Sequence, residues 1–429
     1  MKQAIYRLYS TPKNERFFSW VKLISITGSA QVIIQALAFI CGIMVIRLLP
    51  TQQYALYILA NTMLGTMTTL ADGGISTGVM SQSAKVWQKK NKLGIVLSTG
   101  LYLRRKFAIY SLIFCLPLLF YLLIHNGANT FTAVLIGLTL IPAFYAALSD
   151  SLLEIIPKLH QSIWPLQKNE VVVGIGRLGL SAITLFVFPW AFVAIIASGL
   201  PRLYGNIKLR KIAYIFADKS QDIDLTVQKE ILSIVKRMLP GAIYYSLSGQ
   251  ITIWLISFFG NSTSIAKLGA LGRLSMILTI FNVIISTLIV PRFARLSNIK
   301  QVLLKRYLQI LGLLILLLLI LIGVVYTFPD QILWLLGKDY YGLHFELLLS
   351  IIGSCIGVIA GVSFSLFAAR GWVYHPAIYI LINLASILVL SFIVDISTIR
   401  GVLILNMVVS FVALLLNTIY CLYSILKIK

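Results

Sequence analysis

Fifteen consecutive residues, Leu311 to Val325, read LGLLILLLLILIGVV and contain no polar side chain. A helix of this composition has no face to offer water. A helix rises about 1.5 Å per residue, so about 20 apolar residues match the ~30 Å hydrocarbon thickness of a bilayer. Comparable apolar stretches recur at 21–46, 53–80, 106–125, 131–153, 169–188, 190–207, 232–259, 265–290, 306–327, 345–369, 374–394 and 399–424. They predict an all-α polytopic membrane protein with about twelve spanning helices. The run 311–325 is expected to face lipid. The weakest division is Phe188-Pro189, which alone separates the fifth stretch from the sixth.

Composition agrees. Hydrophobic residues make up 59% of the 429 and charged residues 11%, against roughly 25% charged in a soluble domain. The net charge of +23 does not indicate a nucleic-acid partner, because the basic residues fall in short clusters between apolar runs. If the N-terminus lies inside, 30 of the 36 Lys and Arg fall in inner loops and four (Arg47, Lys267, Lys338, Arg400) in outer ones, with Arg177 and Arg273 inside spans. The positive-inside rule then predicts cytoplasmic N- and C-termini. The first twenty residues lack a signal-peptide pattern, so the first apolar run is expected to stay as an anchor. Cys41, Cys115, Cys355 and Cys421 lie in apolar stretches without paired spacing, and the four histidines are scattered, so neither a disulfide framework nor a metal site is expected.

The most polar stretch, within 208–231, divides the chain into six-span halves, 1–207 and 232–429. Each half opens with a long span holding a glutamine (Gln35, Gln250), a short outer turn and a second long span. Parallel halves of this kind place a site between them. The outer loops are short; the longest, about 328–344, is too small for a catalytic domain. Without a nucleophile or metal motif, no enzyme is predicted.

Ionisable side chains inside a membrane are expensive and usually face a cavity or a partner. Arg273, in LGALGRLSMI, is the deepest, and Arg47 and Lys267 lie nearer the outer surface. Each suits an anion, Arg especially because its fork takes two oxygens. Asp72 precedes two glycines that let the helix unwind, where a carboxyl can titrate and couple H+ or Na+ movement. Asp150 and Glu154 share a helical face, and either is positioned to pair with Arg177 on the next span.

RLLPTQQYALY and LADGGIS in the first two spans, ILWLLGKDYYGLHFELLLSIIG before the tenth and FAARGWVYHPAIYILINLASILVL at the eleventh together resemble the polysaccharide-transporter branch of the multidrug/oligosaccharidyl-lipid/polysaccharide (MOP) flippase superfamily, most nearly its Wzx-type O-antigen flippases. Leu49 and Ala55 depart from that pattern where the family often has glycine. The resemblance implies a MATE/MOP-like fold, two six-helix halves around a central cavity, in a bacterial inner membrane. It also implies a polyprenyl-pyrophosphate-linked oligosaccharide as substrate, moved to the periplasmic leaflet by alternating access, with a polysaccharide polymerase and a chain-length regulator as partners and no cofactor. Arg273, Arg47, Lys267 and Arg177 are the cations available to such a substrate; Asp72, Asp150 and Glu154 are the candidates for ion coupling. Tyr54, Tyr57, Tyr244 and Trp254 are candidates for stacking on sugars. Two alternatives stand beside this reading: a cation-coupled multidrug exporter of the same superfamily, and a polysaccharide polymerase or other membrane enzyme.

Overall fold

The computed structural model describes residues 12–294, 296–370, 372 and 376–428. The first eleven residues, and part of the FAARGWVYHP motif, lie outside the described residues. Among those described the regular structure is helical, in twelve rods with a short helix, Pro329–Leu336, and a 3-10 turn, Lys338–Tyr340, between the ninth and the tenth. The N-terminal half holds Pro12–Leu48, Thr51–Asp72 continued by Ile75–Val86, Lys90–His125, Thr130–Leu153 with a short tail Ile155–Leu159, Ile163–Val187 and Ala191–Phe216. The C-terminal half holds Leu225–Ser248 continued by Ile251–Phe259, an eighth rod from Ser262 to Ala294, Lys300–Thr327, His344–Ala368, Pro376–Ile393 and Ile399–Leu426. The doubtful division at Phe188-Pro189 is a real turn between two helices.

Seven of these helices, taken among the described residues, are long and apolar enough to cross a membrane on their own. The other five do not meet that standard, and four of them are broken, distorted or polar along their length. The second rod breaks at Gly73 (φ 48°) and Gly74 (φ 99°), left-handed conformations that glycine adopts without a Cβ clash. Asp72 Oδ1 then accepts from the amide of Ser76 at 3.1 Å and from its hydroxyl at 2.7 Å, satisfying an orphan amide of the restarting helix. The seventh rod breaks at Gly249-Gln250, and the eighth passes through a 3-10 turn (Met276–Leu278) and a π segment (Ile285–Ile289). The sixth is long, but Arg202, Asn206, Lys208, Arg210 and Lys211 make it polar toward one end.

The outer surface is apolar. Phe186 and Phe392 are more than four-fifths exposed, which is stable in lipid and unfavourable in water. In the 311–325 run, Leu313, Leu316, Leu319 and Ile320 are exposed while Leu311, Leu314 and Leu318, at i, i+3 and i+7, are buried. The run therefore faces lipid with one seam turned inward. Within the N-terminal half the fifth rod packs on the first and sixth, and the fourth on the sixth; within the C-terminal half the tenth packs on the twelfth, ninth and eighth. Arg400 Nε donates to Glu346 Oε1 at 2.7 Å across the tenth and twelfth rods. The non-helical connection between the halves is 217–224, shorter than the polar stretch because both flanking helices run on past their apolar spans. It docks on the third rod, where Asp218 N donates to the Lys90 carbonyl at 3.1 Å.

Candidate functional site

The seam between the halves is closed at the end away from the basic loops. Gly269 of the eighth rod meets Ile58 of the second so closely that a Cβ there would lie 2.6 Å from Ile58 Cγ1. One turn on, Arg273 crosses the seam beside Gly42 of the first rod, 3.3 Å from where its Cβ would be, and next to Tyr54 of the second. It lies 3.5 Å from Met276 Sδ and interacts with the Tyr54 hydroxyl, and among the described residues no carboxylate pairs with it. Farther out, Asn126 Nδ2 donates to Ser257 (carbonyl 3.2 Å, Oγ 3.1 Å), and Thr51 Oγ1 donates to Asp339 Oδ2 at 2.9 Å. Arg47 Nε and Nη2 donate to the carbonyls of Leu335 (2.9 Å) and Trp334 (2.5 Å), and its guanidinium stacks 4.8 Å from the Trp334 ring. Lys267 is half-buried, two turns nearer that end than Arg273.

Toward the basic loops the contact between halves passes to the second and seventh rods. Gly78 lies against Ile231, and Gly73 and Gly74 against Leu239 and Met238. The eighth rod's last part, 279–294, packs instead on the tenth.

Apart from Glu346 of the tenth rod, held by Arg400, the other enclosed charges gather inside the N-terminal half, around two chambers that share Asn61, Leu64 and Arg202. One, about 300 Å³, is lined by Asp150, Glu154, Glu170, Arg177 and Arg202 among others; the second, about 470 Å³, by Asp72, Ser76, Arg104, Ser151 and Arg202. Arg104, 4% exposed, donates to Asp72, to Ser151 and to the Leu148 carbonyl (2.7 Å), so one guanidinium ties the second, third and fourth rods. A buried cation held on this many acceptors is a structural knot as well as a chamber wall.

The expected pairing of Asp150 or Glu154 with Arg177 does not form. Asp150 Oδ2 accepts from Arg202 Nε at 3.1 Å and its Oδ1 from Asn206 Nδ2 at 2.6 Å, while Glu154 is taken by Lys158 at 2.6 Å one turn on. The reason is depth. Arg177 lies 14 residues into the fifth rod, roughly 21 Å from its basic end, beside Tyr57 and Cys41. Asp150 lies near the basic end of the fourth, directly against the sixth. The three still line one chamber, which is a weaker relation than contact. Tyr54 and Tyr57 are 0% and 1% exposed and stack on each other at 6.2 Å, so they are packing residues and not sugar platforms in this conformation. Tyr244 is buried against Tyr379, and Trp254 packs against the main core.

Sequence reasoning missed Arg104, Arg202 and Glu170. The first two read as ordinary loop cations at the ends of apolar stretches. Their helices extend well past those stretches, which is the signal that would have placed them on rods. Glu170 sits one residue inside the fifth stretch and was open to notice.

No protein-family model matches the chain, and no curated protein sequence matches it. Solved structures do. An inward-facing multidrug-resistance MATE-family transporter of the MOP superfamily aligns with a TM-score of 0.70 at 15% identity, over 92% of this chain and 95% of that one. An outward-facing MATE-family transporter aligns at 0.64 and 16% identity, over 95% and 96%. A MOP-superfamily transporter from Pyrococcus furiosus Vc1 (DSM3638), whose binding pocket of reverse polarity suggests a different function, aligns at 0.64 and 15% identity over the same shares. The chain has the fold of MATE-type MOP-superfamily transporters.

Proposed function

We propose that the protein is a transporter that carries a lipid-linked anion across the membrane through the seam between its halves. The substrate class is a polyprenyl-pyrophosphate-linked oligosaccharide, the repeat unit of a bacterial surface polysaccharide, taken from the cytoplasmic leaflet to the periplasmic one. The observation that carries this reading is Arg273. It is a cation at the seam, among apolar neighbours, with no carboxylate paired to it among the described residues. A guanidinium in a site of low dielectric attracts phosphate strongly and binds two of its oxygens. The charge bias places the basic loops in the cytoplasm. The halves also meet at the basic end, through Gly78 and Ile231 and through Gly74 and Met238, so in this reading the substrate path opens at one end at a time. In alternating access the outer contacts of Arg47, Thr51 and Asn126 break as the seam opens at that end. Arg47 then becomes available, with Lys267, along the outer part of the path.

The acid-rich chamber of the N-terminal half suits the coupling ion. Protonation or Na+ binding at Asp150, Glu154 or Glu170 changes their hold on Arg202 and Lys158, and so the packing of the fourth and sixth rods. The same chamber favours the second reading, a cation-coupled multidrug exporter, because acids attract cationic drugs.

Two measurements separate the readings. Deleting the gene in its host is expected to remove surface polysaccharide and build up lipid-linked repeat units inside; unchanged polysaccharide counts against the flippase. Arg273→Ala is expected to abolish flipping, with Arg273→Lys retaining part. Cells expressing the protein that export cationic dyes normally with Arg273→Ala, and lose export with Asp150→Asn, would establish the exporter instead.

A further inference from the structure

The N-terminal half carries a groove of about 230 Å³ between the third, fourth and sixth rods, which shares Arg104 and Leu148 with the second chamber. Three arginines line it, Arg104 and Arg105 from the third rod and Arg210 from the sixth, with Ser149 and Tyr145 from the fourth; Arg104 is the one already tied to Asp72. Arg105 is exposed and has no ion-pair partner among the described residues. Arg210 uses Nε to donate to Asn206 Oδ1 at 3.0 Å, which fixes its guanidinium.

Position along the helices says what such a pair meets. Arg105 lies 20 residues from the far end of its helix at His125, and Arg210 lies 19 from the far end of its own at Ala191. At 1.5 Å per residue each is about 30 Å from the opposite end, one hydrocarbon thickness. The two guanidiniums therefore stand level with the headgroup layer. Above them the same helix faces turn apolar and exposed: Ile109 and Ile113, at i+4 and i+8 from Arg105, are 50% and 61% exposed, and Leu200 and Ile207, on the Arg210 side of the sixth rod, are 51% and 57% exposed. Read from its basic end, the groove is cationic, then polar, then greasy, in the order of a phospholipid.

We propose that this groove binds an anionic membrane phospholipid, its phosphate between Arg105 and Arg210 and its acyl chains along the exposed faces of the third and sixth rods. Two forks level with the headgroups, Arg210 held by Asn206 and neither paired with an acid among the described residues, match a phosphodiester. The site also shares a wall with the acid chamber: Asn206 accepts from Arg210 on the groove side and donates to Asp150 at 2.6 Å on the chamber side. An occupied groove thus steadies the group that holds Asp150. The inference does not depend on what the seam transports.

The experiment uses the full chain in nanodiscs of phosphatidylcholine, or of phosphatidylcholine with one-fifth phosphatidylglycerol, read by thermal unfolding and by native mass spectrometry of retained lipid. Phosphatidylglycerol is expected to raise the unfolding midpoint and to be retained over phosphatidylcholine. Arg105→Ala with Arg210→Ala is expected to weaken retention by about thirtyfold, the sum of two interfacial charges, and to remove most of the midpoint rise. Arg105→Lys with Arg210→Lys keeps the charge and is expected to keep part of both. Lys219→Ala with Lys229→Ala removes two exposed charges elsewhere and is expected to behave as the unmodified chain. The proposal is overturned if the alanine pair retains phosphatidylglycerol normally, or if the Lys219/Lys229 control loses it equally. It is likewise overturned if millimolar inorganic phosphate in phosphatidylcholine nanodiscs reproduces the midpoint rise, because the groove is then a site for a free anion.

Discussion

Arg47 Nε donates to the Leu335 carbonyl at 2.9 Å, so a cation at the end of the first rod holds the connection between the ninth and tenth. With its second bond to Trp334 and its stack on that ring, it acts as a clasp across the two halves. Replacing it with alanine removes these contacts without touching either core. An exposed clasp of this kind contributes about 1 kcal/mol, so Arg47→Ala is expected to raise the population open at that end by roughly fivefold. Spin labels at Thr51 and Asp339, which approach to 2.9 Å through their side chains, would report the change as a longer second distance. An unchanged distance distribution removes the clasp from the account.

Gly269 against Ile58 is the tightest meeting of the halves among the described residues of the eighth rod. A methyl there has no room, and overpacking of this order costs about 1–3 kcal/mol. Gly269→Ala is expected to disfavour the closed seam, and Ile58→Ala in the same chain to restore it. Labelling rates of a cysteine placed at Arg273 would follow both steps, rising in the single variant and falling back in the double.

Arg104 sits at the junction of three rods and holds Asp72, which is 28% exposed in its side chain. Removing one member of a mostly buried pair leaves the other charge uncompensated, at about 2–4 kcal/mol. Arg104→Ala is therefore expected to lower the unfolding midpoint of the purified protein markedly. Adding Asp72→Asn is expected to recover part of the loss; if the double variant is no better than the single, the ion pair is not what holds the junction.

Asp224 caps the seventh rod from the connection between halves, accepting from the amides of Thr226 (2.6 Å) and Val227 (3.0 Å). These bonds hold its carboxyl below the usual carboxylate range. A depressed value means the cap contributes fully above the ordinary carboxylate range and is lost as pH falls through the folded value. Amide exchange at Thr226 and Val227, corrected for its intrinsic pH dependence, is expected to speed up below about pH 4. In Asp224→Asn that acid-induced change is expected to vanish.

Much of the architecture is set by the chain itself. Apolar runs predict twelve rods because a helix must satisfy its own backbone in lipid, and seven of the rods are long and apolar enough to span on their own. Gly73-Gly74 fixes a break in the second rod, and Phe188-Pro189 a turn between the fifth and sixth, because both are local backbone constraints. The lipid-facing role of Leu313 and Leu316 also follows from composition alone. Partner choice does not. Asp150 and Arg177 looked matched along the chain, yet Asp150 meets Arg202 and Asn206, because which rods touch, and at what depth, is a property of the packed bundle. Arg104 and Arg202 read as loop cations until their helices were seen to extend inward past the apolar stretches. Arg273 was legible as a buried cation; only the tertiary structure placed it at the seam beside Gly42 and Tyr54, with the other half of the protein as its neighbour.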